Sequence, residues 1–321
     1  MKKIFRLWPA LAVLLTLPLT AGVSGYRIFF ARTTLADGTS GIIIRQFLRN
    51  DLAFYLLVHP LTLASEIIPA SGVKAETAAL GDLLRKFAVS PYARALAAAA
   101  QNAKKLQDAG LTHSLPEERG ISLTIDLCPS AKPLDRSLFK AILAAFGKIE
   151  QPVPLAIALS GLWMEKHAQD LLWLSRLSRS GQVTIDWINH SYHHQYDPRL
   201  PLRRNFLLEK GVDLNAEILN TEKKMIECGL TPSVFFRFPG LVSDYAEFAR
   251  VLAYGLIPVG SDAWLAKRQK AEPGSIVLIH GNGNEPLGIS KFLALITSER
   301  SAIKKKNWLL FDLRDSLIRP K

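Results

Sequence analysis

The sequence predicts an α/β fold of repeated strand and helix units from residue 121 onward, preceded by a mainly helical extension. Two observations carry this reading. After Gly120, short apolar and β-branched runs alternate with longer amphipathic stretches, the pattern of parallel βα units. Before it, Leu83-Leu84-Arg85-Lys86-Phe87 and the Ala-rich stretch from Tyr92 to Ala103 have helical character. A hydrophobic fraction of 49% over 321 residues is ample for a buried core and argues against a disordered chain.

The chain opens with Lys2, Lys3 and Arg6, an apolar run from Leu7 to Leu19, and then small residues, the layout of a secretory leader over residues 1–25. Interrupted by Pro9 and Pro18, the run falls short of the roughly 20 residues that span a bilayer, so cleavage and export to the periplasm are expected rather than stable membrane insertion. An uncleaved leader acting as a membrane anchor is the alternative. Residues 26–120 form the helical extension, in which His59 and His113 read as ordinary surface or capping histidines.

Residues 121–321 carry seven predicted strands: Ile121–Leu127, Pro154–Ser160, Val183–Asn189, Ser233–Phe238, Leu256–Ser261, Ser275–His280 and Asn307–Asp312. Helices are predicted between them at Leu134–Ile149, Glu165–Arg179, Asn215–Cys228 and Ser243–Tyr254, each ending near a Gly or a polar break. Such units close into an incomplete barrel or lie as an open doubly wound sheet, and the pattern leaves both open.

The formal charge of +12 includes Lys2, Lys3 and Arg6 of the leader. The remaining Lys and Arg are scattered, with a single run at Lys304–Lys306, and no zinc-finger or ribonucleoprotein pattern accompanies them. Nucleic acid is therefore not an expected partner. Two cysteines, Cys128 and Cys228, do not make a disulfide framework.

The chemistry gathers at strand ends. Asp126, His190, Arg237, Asp262 and His280 fall at or just beyond the C-terminal ends of successive predicted strands, which in a parallel barrel meet at one mouth. In His190-Ser191-Tyr192-His193-His194 two imidazoles stand four residues apart, a spacing that can present both to one cation on a helical turn. The Glu of a zincin motif is absent, and the overlapping sequon Asn189-His190-Ser191 reads as a chance match.

Taken in order, the segments Thr124-Ile125-Asp126-Leu127-Cys128, His190-Ser191-Tyr192-His193-His194, Arg237-Phe238-Pro239, Asp262-Ala263-Trp264 and Leu278-Ile279-His280 resemble the five motifs of the polysaccharide deacetylase family with the NodB homology domain. Gly181 and Gly274 precede the second and last motif strands, where that family also favours glycine. The resemblance implies a deformed seven-stranded (β/α) barrel that hydrolyses N-acetyl groups of an amino-sugar glycan. It also implies a divalent metal, zinc by expectation, on His190 and His194, with Asp126 as general base and His280 as general acid. Arg237 would orient Asp126, Asp262 would hold the His280 imidazole, and Trp264, Leu278 and Pro239 would line the substrate pocket.

One departure stands out. Where the family's first motif has a second, metal-binding carboxylate, this chain has Leu127, followed by Cys128 in place of Gly. Catalytic zinc sites normally have three protein ligands. Either the third donor is Asp126 itself or a nearby group such as Asp186, or it is the thiolate of Cys128, which suits zinc beside two imidazoles, or no metal is needed or catalysis has been lost. The competing readings are a non-catalytic carbohydrate-binding barrel and an amidase acting on a small molecule with the same fold.

Overall fold

The computed structural model describes residues 22–35 and 37–317. Residues 1–21 of the expected leader lie outside these, whereas Val23-Ser24-Gly25 belong to the first strand. No helix among the described residues is long and apolar enough to cross a membrane.

The N-terminal segment corrects the expectation of a mainly helical extension. It begins with a five-stranded antiparallel sheet of β1 (Val23–Thr34), β2 (Ser40–Arg49), β3 (Leu52–Val58), β4 (Ser65–Pro69) and β5 (Glu76–Thr77), in the order β4-β3-β2-β1-β5. The expected helices follow it, as α1 (Leu80–Lys86) and α2 (Pro91–Ala100). The overlooked signal is Asn50-Asp51. Both residues have positive φ, 50° and 62°, and Arg49 pairs with Leu52, so they form the two-residue hairpin turn whose twist suits antiparallel strands.

The second layer system starts at β6 (Gly120–Leu127) and continues through α3 (Arg136–Phe146), β7 (Val153–Leu159), α4 (Gly161–Lys166), α5 (Ala168–Arg179), β8 (Val183–Asn189), α6 (Leu214–Glu227) and β9 (Pro232–Phe236). It ends with α7 (Tyr245–Ala253), β10 (Ile257–Pro258), β11 (Ala263–Trp264), β12 (Ile276–His280), α8 (Pro286–Ser298), α9 (Arg300–Lys304), β13 (Leu309–Leu310) and α10 (Leu313–Ser316). The strands pair in parallel in the order β10-β9-β8-β7-β6-β12-β11, with β13 joining the start of β6. This curled parallel sheet is the deformed (β/α) barrel.

The seven strands of the main path are not the seven of the sequence reading. The predicted strand at Asn307–Asp312 is the short β13 off that path, and β11 takes the seventh place. The segment that leads in from α2 runs between the two end regions of the path: Leu111 bridges Val259, just after β10, and His113 bridges Ser275, just before β12, which pairs with the terminal β11. The barrel therefore uses the extension to close its seam.

Side chains of β6 alternate in two directions, as the period of two requires. Ile121, Leu123, Ile125 and Leu127 enter one apolar cluster with Leu138, Phe139 and Ile142 of α3 and Phe292 of α8. Ser122, Thr124 and Asp126 face the barrel interior, and all three are buried.

A fully buried ion pair links the antiparallel sheet to the barrel within an apolar cluster that the two share. Arg45 of β2 donates from Nε and Nη2 to the Glu222 carboxylate of α6 at 2.7 and 3.0 Å, and its Nη1 donates to the carbonyls of Tyr254 and Ile44. Tyr26 adds a hydroxyl donor to the same carboxylate at 3.0 Å. A buried charge that loses its partner stays desolvated without compensation, so Arg45→Ala is expected to cost about 3–5 kcal/mol in chemical denaturation. Replacing both residues with apolar ones should recover much of that loss; equal destabilisation by the single and double changes would contradict this account.

Candidate active site

The candidate residues converge at the C-terminal ends of β6, β8, β9 and β12. Asp126 is paired in register with His280 across β6 and β12. His190 follows β8, and its Nδ1 donates to the carbonyl of Arg237 just beyond β9 at 2.8 Å. A carbonyl only accepts, so this bond places the proton on Nδ1 and leaves the Nε2 lone pair directed at the site. Burial lowers the pKa of His190 against the opposing pull of Asp126, favouring the neutral ring that a metal ligand must be.

Nε2 of His190 lies 3.5 Å from Cys128 Sγ and 3.7 Å from Asp126 Oδ2. One donor atom from each of Cys128, His190 and His194 lies within 4.8 Å of the other two. The His190 and His194 rings meet edge to face at 4.7 Å, and His194 Nε2 is buried with no hydrogen-bond partner. Asp126 Oδ1 is likewise buried and unpartnered. Buried polar atoms without partners are costly, and here they point to a group that the donor set receives. A thiolate and two imidazoles are a chemically suitable set for zinc.

Leu127 is not in this cluster. It is fully buried among the helices on the opposite face of β6, and Gly281 packs so closely that a Cβ there would come within 3.0 Å of its Cδ2. Asp186, one of the candidate third donors, is instead committed to Arg314 at 3.1 Å. The helical presentation expected for His190 and His194 is corrected too, because residues 190–194 form an irregular loop in which Ser191 and His194 have positive φ of 65° and 50°.

Arg237 is fully buried and donates from Nη2 to Thr124 Oγ1 at 2.8 Å, while its Nη1 stands 4.0 Å from Asp126 Oδ1. It is thus beside the Asp126 carboxylate, as expected. Trp264 and Leu278 pack together with Leu241, which the sequence reading did not single out, to form an apolar wall, and Pro239 is buried two residues before Leu241. The Trp264 ring lies 6.1 Å from that of His280.

Asp262 does not perform the expected task. Its Oδ2 pairs with His113 Nδ1 at 2.7 Å and its Oδ1 accepts the Ile276 amide, so it ties the seam segment to β12. The carboxylate beside His280 is that of Glu285, with Oε2 2.9 Å from Nδ1, and Glu285 also accepts from Trp264 Nε1 at 2.7 Å. Glu285 lies just five residues after His280, in a turn that precedes α8; proximity to the motif was the only signal available in the sequence.

Burial works to lower the pKa of His280, but Cys128, Glu285 and Asp126 outweigh it and hold the imidazole well above its ordinary range. Burial likewise works to raise the pKa of the Cys128 thiol, and His194 and His280 overcome it, bringing the thiol down to about 7. The backbone of Cys128 is fixed as well, since the buried Asn282 donates to its carbonyl at 2.9 Å. Both cysteines are free thiols. A separate cavity of about 540 Å³, lined by residues that include Glu117, Glu150 and Asp315, contains none of these side chains.

The chain is thus an α/β barrel that gathers a buried carboxylate, an imidazole and the Cys128, His190 and His194 cluster at one mouth. No family model matches the chain. Among solved structures it is similar to a family 4 carbohydrate esterase from Bacillus anthracis, at 17% identity over 69% of this chain and 90% of that one, with a TM-score of 0.47. PdaA of Bacillus subtilis, another family 4 carbohydrate esterase, matches at 17% identity over 76% and 91%, with a TM-score of 0.46. A CE4 family pseudoenzyme from Bacillus anthracis matches at 17% over 66% and 70%, with a TM-score of 0.45.

In metal-free protein carrying Cys228→Ala, ultraviolet titration of thiolate formation should give a Cys128 midpoint near 7. Since a nearby imidazolium stabilises the thiolate, His280→Ala should move that midpoint upward. An unchanged midpoint would contradict the assigned coupling.

Proposed function

We propose that this chain is an exported, metal-assisted hydrolase that removes N-acetyl groups from an amino-sugar glycan. The observation that carries the reading is the placement of Cys128, His190 and His194 around one point beside Asp126, with His280 across the sheet. Export rests on the leader-like pattern of residues 1–25.

His190, His194 and Cys128 would hold the metal, with zinc the ion that suits them best. A divalent ion bound there supplies Lewis acidity to the amide carbonyl and lowers the pKa of water. Asp126 takes a proton from the attacking water through its free Oδ1, and Arg237 stabilises the carboxylate beside it. His280, kept protonated by its anionic neighbours, delivers a proton to the departing sugar amine as the carbon–nitrogen bond breaks. Acetate and the protonated amine are the products, so atoms and charge balance with one water consumed.

Glu285 supplies the negative charge 2.9 Å from His280 Nδ1, a place that the sequence resemblance gave to Asp262. The wall of Leu241, Trp264 and Leu278 gives the acetyl methyl group and a sugar face an apolar surface. A barrel that binds glycan without turnover is the second reading, favoured by the loss of the carboxylate at Leu127.

Zinc-loaded protein should release acetate from chitooligosaccharides or peptidoglycan fragments, and Asp126→Asn should lower kcat by roughly 10²–10⁴-fold. Binding of these fragments with no acetate release, unaltered by His280→Ala, would overturn the proposal in favour of the second reading.

A further inference from the structure

We infer that Glu217 is the positioning residue of the candidate metal site, acting through the loop that carries His194. The inference rests on the proposed reading of His190 and His194 as metal ligands. Glu217 belongs to α6, and no sequence motif singles it out.

The loop between His190 and His194 has no regular secondary structure, so each of its backbone polar groups needs a partner of another kind. The Ser191 amide donates to its neighbour Asn189 Oδ1 at 3.0 Å. The carbonyls of Ser191 and Tyr192 accept from the amides of Gly161 and Leu162 at 3.1 and 3.0 Å. The two remaining interior amides, those of Tyr192 and His193, both donate to Glu217 Oε2, at 2.8 and 2.9 Å. Oε1 of the same carboxylate takes His193 Nδ1 at 2.5 Å.

Glu217 is 5% exposed, so these three donors are what compensates a nearly buried carboxylate. The loop gains as much. Ser191 and His194 sit in the left-handed region, which is disfavoured for side chains of their kind, and a conformation of this sort persists only where its surroundings over-determine it. Two adjacent amides converging on one carboxylate oxygen fix the turn that brings His194 back toward His190. From the other side, the Tyr192 ring lies against Gly161, where a Cβ would approach it to 2.2 Å. The loop is therefore gripped between α4 and α6.

The helix that carries Glu217 is itself held. Asn189 Nδ2 donates to the Ile218 carbonyl at 2.9 Å, and further along α6 Glu222 is bound by Arg45 of the antiparallel sheet. Glu217 touches neither His194 Nε2 nor any reacting group; it acts on ligand geometry alone, as partners outside the ligand shell of a metal site do.

The test is zinc affinity of the full chain, measured by competition with a chromophoric chelator. Glu217→Gln removes the charge and one acceptor position while keeping the shape, and is expected to weaken zinc binding by about 10–100-fold. Thr221→Ala, which deletes the Thr221 Oγ1 bond to the Glu217 carbonyl and disturbs the same helix without touching the carboxylate, should retain the unmodified affinity. Equal zinc affinity in Glu217→Gln and unmodified protein would overturn the inference, and so would equal losses in both variants.

Amide hydrogen exchange of the unmodified, metal-free protein supplies a second readout that needs no variant to fold. The Tyr192 and His193 amides should exchange far more slowly than those of Gln195 and Tyr196; fast exchange at both overturns the role of Glu217. Failure of the unmodified protein to bind zinc, with those two amides protected, would sink the metal reading while sustaining the assigned hold of Glu217 on the loop.

Discussion

The alternation of side chains along β6 is the constraint on which the site depends. Because successive residues face opposite sides of the sheet, Leu127 is directed into the helical layer while Asp126 faces the barrel interior. Cys128, the next residue after the strand, returns to the inner side and places its sulfur 3.5 Å from His190 Nε2. A carboxylate in place of the fully buried Leu127 would be desolvated within the apolar cluster to which the α3 residues Leu138, Phe139 and Ile142 also belong. Under the proposed function, the apolar residue at 127 and the sulfur at 128 belong to one arrangement, in which the third donor would be the Cys128 thiolate in place of a carboxylate.

The electrostatics follow from that substitution. A thiolate beside His194 and His280 brings a negative charge into a buried pocket, and His280 responds by holding its proton more tightly. Glu285 and Asp126 act in the same sense. His190 goes the opposite way: burial lowers its pKa against the opposing pull of Asp126 and of its bond to the Arg237 carbonyl, so one imidazole favours the neutral ring and the other the charged one. Environment, rather than residue type, sets the two apart.

The parallel βα units were legible from sequence because their strands are short apolar and β-branched runs, buried on both faces, with polar residues at their ends, whereas the choice of a barrel over an open sheet came from the resemblance of the five motifs. Asp126, His190, Arg237 and His280 are brought together as that pattern predicts. The antiparallel sheet was less legible, since its strands mix charged and apolar residues and its clearest mark is the short turn at Asn50-Asp51. Asp262 and Glu285 show a different limit. Both are acids near a motif, and only the path of the chain decides that one reaches His113 and the other His280. Glu217 lies 23 residues beyond His194 and its carboxylate accepts mainly from backbone amides, which no side-chain pattern records.

The central claim is that Cys128 supplies the third donor to a site shared with His190 and His194. Cobalt(II) substitution tests it most directly, because a cobalt–thiolate bond produces a charge-transfer absorption that imidazole and carboxylate ligands do not. The account predicts such a band in the unmodified protein and in Cys228→Ser, and its loss in Cys128→Ser. Bound cobalt without the band, or a band that survives in Cys128→Ser, would contradict it.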